Sequence, residues 1–219
     1  MIKITSSLMC ADQLELGKEI KMLEEAGTDW FHIDLMDGSF VPNFAMGIWQ
    51  ISAIRKATSL PIDIHLMSVS PERHIKKISY LGADIIIFHI EAAKNVQGVI
   101  NEIKSYGKSV GIAINPETSV DSVKPYLEDC DIVMFMMNSP GFPGQKFNQI
   151  IMKKISNLYS FIKENSYRAE IMVDGAASAE TIPLLSKAGA TIFVGGTSGL
   201  FGKNKTYRQC IEEMKKAGK

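Results

Sequence analysis

A closed barrel of eight parallel strands, each followed by a helical segment, is the fold class this sequence predicts: a TIM (β/α)8 barrel. Three observations predict it. Short apolar runs of strand length alternate with longer amphipathic stretches along all 219 residues. There are eight of each in strict order, a pattern that gives parallel strands joined by right-handed crossovers. The runs also lack the strict alternation of a half-exposed sheet, as expected of strands covered on both faces. An open doubly wound sheet is the runner-up. No linker, composition break or low-complexity stretch divides the chain, so residues 1–219 read as one domain.

The first strand is the weakest, Lys3-Ile4-Thr5. The others are expected at 31–33, 62–67, 85–88, 110–114, 132–136, 171–173 and 192–194. In 14–23 the apolar residues fall at 14, 16, 20, 22 and 23, mostly a helical stripe. Pro71-Glu72 marks a helix start with Ser70 as its cap, and Pro116-Glu117-Thr118-Ser119 introduces another helix. One phrase recurs: EAGTDWFH from Glu25, YLGADIIIFH from Tyr80 and KAGATIFVGG from Lys187. Each predicts a helix stopped at a glycine (Gly27, Gly82, Gly189), then a tight turn and a strand.

Composition narrows the function. Hydrophobic residues are 46% of the chain, enough to bury a core without disulfide or metal staples. Lys plus Arg is 24 and Asp plus Glu is 24, so no basic excess points to nucleic acid. A small anionic ligand stays compatible, because backbone amides can hold a phosphate. Cys10, Cys130 and Cys210 are odd in number and widely spaced, which fits reduced thiols. The start MIKITSSLMC lacks signal-peptide sections, and no apolar run nears the ~20 residues of a membrane span. A cytoplasmic protein with no membrane partner is therefore expected.

In parallel α/β folds, chemistry sits at the C-terminal ends of the strands. Those ends carry Ser6 and Ser7, His32 and Asp34, His65, His89, Asn115, Asn138, Asp174, and Gly195-Gly196-Thr197-Ser198. Residues two apart on a strand share a side, so His32 and Asp34 can both point into the barrel mouth. His65 ends the third strand and Asp174 the seventh, expected on the opposite side of the ring from the second. Two imidazoles and two carboxylates converging there would make a site for Zn, Fe, Mn or Co. The bland alternative, a buried salt-bridge cluster, needs cations, yet these strands contain no Lys or Arg. Glycines follow three strands: Gly141-Phe142-Pro143-Gly144, Gly175, and Gly195-Gly196. Amides there can approach an anion, although glycine loops are common. No GxGxxG or GxxxxGK[ST] motif supports a nucleotide. Met9, Met36, Met67 and Met136 recur at strand ends, either as core filler or as an apolar lining.

Taken together, SSLMCAD, FHIDLMDGSFVPN, DIHLM, FHIEA, INPET, SPGFPGQKF, VDGAAS and GGTSGLF resemble the ribulose-phosphate 3-epimerase family in order and content. Within it, SLMC and GTSGLF look closer to the D-allulose-6-phosphate 3-epimerases than to the pentose enzymes. The resemblance implies one divalent metal ion (Zn, Fe, Mn, Co or Mg) held by His32, Asp34, His65 and Asp174. It implies proton transfer by Asp34 and Asp174, and substrate contacts from Ser7 and His65. Phosphate would rest on Gly141, Phe142, Pro143, Gly144, Gly175, Ala176, Gly196, Thr197 and Ser198. Met36, Met67 and Met136 would line the site. The implied substrate is a sugar phosphate, D-allulose 6-phosphate going to D-fructose 6-phosphate. The alternative is D-ribulose 5-phosphate going to D-xylulose 5-phosphate. A homo-oligomer, dimer or hexamer, is also implied. Ser6, Ser39, Pro143 and Ala176 depart from the family's usual residues.

The chemistry is consistent with the residues alone. Epimerisation beside a ketone needs two acid–base groups on opposite faces of the reacting carbon. Aldol cleavage or decarboxylation would favour a strand-end lysine, which is missing. A non-catalytic sugar-phosphate-binding barrel would tolerate loss of ligands, and none is lost. In the run from Phe31 to Phe40, Asp37 and Gly38 are expected to shape the loop rather than react.

Overall fold

The structure, a computed structural model, describes residues 2–144 and 147–218. Gln145 and Lys146, within the motif SPGFPGQKF, lie outside the described residues. Eight parallel strands close in chain order: β1 Lys3–Ser7, β2 Trp30–Met36, β3 Ile62–Met67, β4 Ile85–His89, β5 Ser109–Ile114, β6 Ile132–Met136, β7 Glu170–Asp174 and β8 Ile192–Gly195. Lys3 pairs with Ile192 and Ser6 with Gly195 across the β1–β8 seam, which rules out the open sheet. Each predicted run lies inside a strand. β2 outruns its apolar run because Asp34 interrupts the composition without leaving the ladder.

Seven α-helices occur among the described residues: α1 Leu16–Ala26, α2 Ile48–Ala57, α3 Glu72–Leu81, α4 Val96–Ser105, α5 Gln149–Glu164, α6 Ile182–Ala188 and α7 Tyr207–Ala217. The helix expected after Pro116 is replaced by two 3-10 turns, Val120–Ser122 and Lys124–Tyr126. Local side chains compete for the backbone there. Ser119 accepts from the Asp121 N–H, and the Ser122 hydroxyl donates to the Ser119 carbonyl. Pro125 then lacks an N–H to extend the ladder. Ser70 does not cap α3 with its side chain; its carbonyl accepts from the Arg73 N–H at 3.1 Å.

The repeated phrase does more than stop helices. Gly27, Gly82 and Gly189 end α1, α3 and α6 in the left-handed conformation. At Gly82 (φ 114°) a Cβ would also lie 2.4 Å from the Arg55 side chain, so only glycine fits. In the first two phrases the aspartate two residues on pins the preceding odd strand. Asp29 accepts from the Ile4 N–H at 2.7 Å, and Asp84 from the Ile62 N–H at 2.9 Å. Asp131 does the same for Val110 at 2.8 Å.

Two apolar layers result from the strand period of two. Phe31, Ile33, Ile64, Phe88, Phe135 and Phe193 point outward and are buried under the helices. Each contributes about 1.5–3 kcal/mol by leaving water. Trp30, Ile87, Ala113, Met134, Met172 and Ile192 fill the barrel interior. The same parity turns His32, Asp34 and Met36 inward above Trp30. The helical shell thus carries a polar barrel mouth. No helix among the described residues is long and apolar enough to cross a membrane.

Candidate active site

Strand register assembles the mouth. His32 faces Asp63 across β2–β3, Asp34 faces His65, and Met36 faces Met67. Met136 faces Asp174 across β6–β7. In the ring β7 and β2 stand three steps apart by way of β8 and β1, short of fully opposite as expected. Their carboxylates still converge. His32 Nε2 lies 3.3 Å from Asp34 Oδ1 and 3.9 Å from Asp174 Oδ2. His65 Nδ1 lies 3.1 Å and 3.6 Å from the same two oxygens. Ser7 donates its hydroxyl to Asp34 Oδ2 at 2.9 Å.

These residues fit a divalent metal ion. One ligand atom from each of His32, Asp34, His65 and Asp174 lies within 4.8 Å of all the others. Atoms about 2.1 Å from a shared ion stand about 3.4 Å apart at tetrahedral angles. The four imidazole–carboxylate separations bracket that spacing. Both ring nitrogens of His32 are buried and lack hydrogen-bond partners among the described residues, although carboxylate oxygens of Asp63 and Asp34 stand 2.6 Å and 3.3 Å away. An orphaned imidazole nitrogen between two carboxylates is an expected metal ligand. No Lys or Arg lines the cleft among the described residues. A cation is the missing charge.

The electrostatics show the same strain between like charges. Burial opposes ionisation of Asp34, but the neighbouring His32 and His65 outweigh it and hold the carboxyl well below its usual range. Burial also opposes charge on His32, yet Asp63 and Asp34 raise its pKa well above the ordinary imidazole value. His65 is pushed down to about 3, mainly by burial, with His89 adding to the effect. Asp174 is pushed up to about 7, first by burial and then by the charges of Asp34 and Asp63 against the pull of His32. One carboxyl is held ionised and its neighbour holds a proton.

The cleft above the four ligands is narrow, a cavity of about 60 Å³ that opens to solvent. Ser7, Asp34, Met36, Met67, Met136 and Asp174 line it, as do the three glycine segments predicted for phosphate: Gly141 to Gly144, Gly175 with Ala176, and Gly196 to Ser198. His65 is not a lining residue; it is buried behind Asp34. Ala176 keeps a left-handed backbone (φ 54°) without being glycine, a strain of roughly 1–2 kcal/mol. Ser39, one of the departures from the family's usual residues, lies outside the lining. Asp37 is a loop builder. It accepts from the Ser39 and Phe40 N–H groups at 2.8 Å and from Val69 at 3.0 Å, and burial is outweighed by these bonds so that its carboxyl stays low.

Sequence reasoning missed the residues behind the ligands. Asp63, fully buried, lies 2.6 Å from His32 Nδ1 and accepts from Trp30 Nε1 at 2.6 Å. Its signal was available: it sits two residues before His65 and therefore on the same side. His89, named only as a strand-end residue, stands 2.8 Å from His65.

A barrel with paired carboxylates and imidazoles under a glycine-walled cleft is suited to epimerising a sugar phosphate, and comparison with known proteins agrees. The model for the ribulose-phosphate 3 epimerase family matches residues 3–201. The chain belongs to the ribulose-phosphate 3-epimerase family and is an isomerase of the carbohydrate-phosphate epimerase class. It is similar to ribulose-phosphate 3-epimerase of Methanocaldococcus jannaschii, 43% identical over 99% of this chain and 91% of the relative. The Bacillus subtilis protein of the same name is 38% identical over 98% and 99%. The chloroplastic ribulose-5-phosphate-3-epimerase of Arabidopsis thaliana is 37% identical over 98% and 76%. These names favour the pentose alternative over the allulose 6-phosphate expectation. Among solved structures, "Native KDPGal structure" shares the fold alone, at 18% identity and TM-score 0.68, covering 98% of this chain and 93% of that one. "Crystal structure of KGPDC from Streptococcus mutans" does likewise at 13% and 0.68, covering 99% of each.

Proposed function

We propose that the protein interconverts D-ribulose 5-phosphate and D-xylulose 5-phosphate at C3 with the help of one divalent metal ion. The observation that carries this reading is the convergence of Asp34 and Asp174 beside His32 and His65 at the mouth of the barrel. Two carboxyls brought together from separate strands can serve as the acid and the base of one proton transfer. The pentose substrate is supported by the names of the relatives.

In this mechanism Asp34 removes the proton from one face of C3. Asp174 delivers a proton to the other face, and the roles exchange in reverse. His32, Asp34, His65 and Asp174 would hold the ion; when bound it supplies positive charge that stabilises the enediolate oxygen. Ser7 orients the Asp34 carboxylate through its hydroxyl. Met36, Met67 and Met136 exclude water around the carboxylates. The phosphate rests on the backbone N–H groups of Gly141, Phe142 and Gly144, of Gly175 with Ala176, and of Gly196 to Ser198; Pro143 has no N–H and contributes shape alone. Positioned acid–base groups add roughly 10²–10⁴-fold to rate.

The test is exchange of the C3 proton of ribulose 5-phosphate in deuterated water, followed by NMR. With a divalent ion present the wild type should exchange it and form xylulose 5-phosphate. Asp34→Asn and Asp174→Asn should each stop epimerisation. Full turnover by either variant would sink the two-carboxylate mechanism.

A further inference from the structure

Behind His65 runs a chain of hydrogen-bonding side chains that ends on a carboxylate. His65 Nε2 stands 2.8 Å from His89 Nε2, and His89 Nδ1 stands 3.2 Å from Glu91 Oε2. Glu91 Oε1 accepts from the Asn115 N–H at 2.8 Å and from the Thr118 hydroxyl. His89 is fully buried, its ring lying 4.7 Å from that of Phe40, so water does not complete its bonds. A carboxylate only accepts. The His89 proton therefore sits on Nδ1, facing Glu91. To ligate an ion, His65 must present the Nδ1 lone pair that faces Asp34 and Asp174, so its one hydrogen then sits on Nε2 and is donated to His89 Nε2. His89 can accept there because its own hydrogen is held on Nδ1 by Glu91.

We propose that Glu91, acting through His89, is a positioning residue that sets the ligating tautomer of His65. This rests on the metal reading above. It differs from the His32 arrangement, where Asp63 meets the ring directly. Partners behind a metal ligand typically change affinity 10–100-fold when lost.

Glu91→Gln tests the direction of the chain because it keeps the shape. Two donors, Asn115 N–H and Thr118 O–H, hold the near oxygen, so the glutamine carbonyl must stay there. Its NH2 then faces His89 Nδ1. Every bond reverses: His89 Nδ1 accepts, His89 Nε2 donates, and His65 carries its hydrogen on Nδ1, against the ion.

The experiment reads two signals. Histidine-labelled protein stripped of metal is examined by ¹⁵N–¹H NMR, and Zn²⁺ affinity is measured by competition with a chelator. In wild type the His89 hydrogen should sit on Nδ1; in Glu91→Gln that signal should be lost, and Zn²⁺ should bind 10–100-fold more weakly. Thr118→Val keeps the carboxylate and should leave both readings within twofold of wild type. Nδ1-protonated His89 in Glu91→Gln, unchanged Zn²⁺ affinity, or an equal loss in Thr118→Val would each overturn the inference. If wild type binds no divalent ion while the NMR pattern is as expected, the metal reading fails and the hydrogen-bond direction stands.

Discussion

Replacing Asp174 with asparagine is expected to make the metal-free protein more stable while ending its activity. The wild-type carboxyl is raised from 3.8 to about 7 by burial and by Asp34 and Asp63. At 1.36 kcal/mol for each pH unit, ionising it in the folded state costs ~4 kcal/mol more than in the unfolded chain. The Asp174 side chain is 18% exposed, so solvent screening reduces this to ~2 kcal/mol. Asparagine keeps the shape without the charge. For a chain of this size ~2 kcal/mol is a rise of roughly 4–8 °C in Tm. The sign depends on pH. Between 3.8 and about 7 the folded wild type binds its proton more tightly than the unfolded chain does, so its stability falls as pH rises through that window. The variant's advantage should be full at pH 8, shrink on acidification and vanish below 3.8. Scanning calorimetry of chelator-stripped proteins at pH 8 and pH 4 reads it. A lower Tm for Asp174→Asn at pH 8, with no metal present, would refute the electrostatic reasoning.

Other outcomes follow from the same geometry. Because the Asp174 proton must leave before its oxygen can ligate, divalent-ion affinity should rise with pH up to about 7 and then level off, as read by titration with Zn²⁺. Asp63→Asn should weaken Zn²⁺ binding 10–100-fold without unfolding the barrel, because it removes the charge 2.6 Å from His32; unchanged affinity would show that the buried carboxylate serves packing alone. Gly175→Ala forces a side chain onto φ 97°, 3.3 Å from Met137 Cβ; KM should rise while metal affinity stays near wild type. An unchanged KM would remove Gly175 from the phosphate clamp.

Much of the fold was legible because each helix–glycine–strand phrase states its own boundaries. Inward-pointing His32 and Asp34 could be read from the period of two alone. Asp63 obeys the same rule from His65, but its meaning depends on the β2–β3 register, which places it opposite His32. The direction of the chain through His89 depends on Asn115 and Thr118, 24 and 27 residues beyond Glu91, and spacing does not reveal such contacts. The 3-10 segment after β5 was missed because Pro116 resembles a helix start while Ser119 and Ser122 divert the backbone further on. Substrate length was least legible. Ser39 departs from the family's usual residue, yet it stands outside the cleft.

Side-by-side kcat/KM values for ribulose 5-phosphate and allulose 6-phosphate, measured with one divalent ion and again after chelation, test the central claim most directly. The predicted result is a strong preference for the pentose phosphate that disappears with the metal and returns when it is restored. A preference for allulose 6-phosphate, or undiminished turnover of either sugar in the chelated protein, would contradict it.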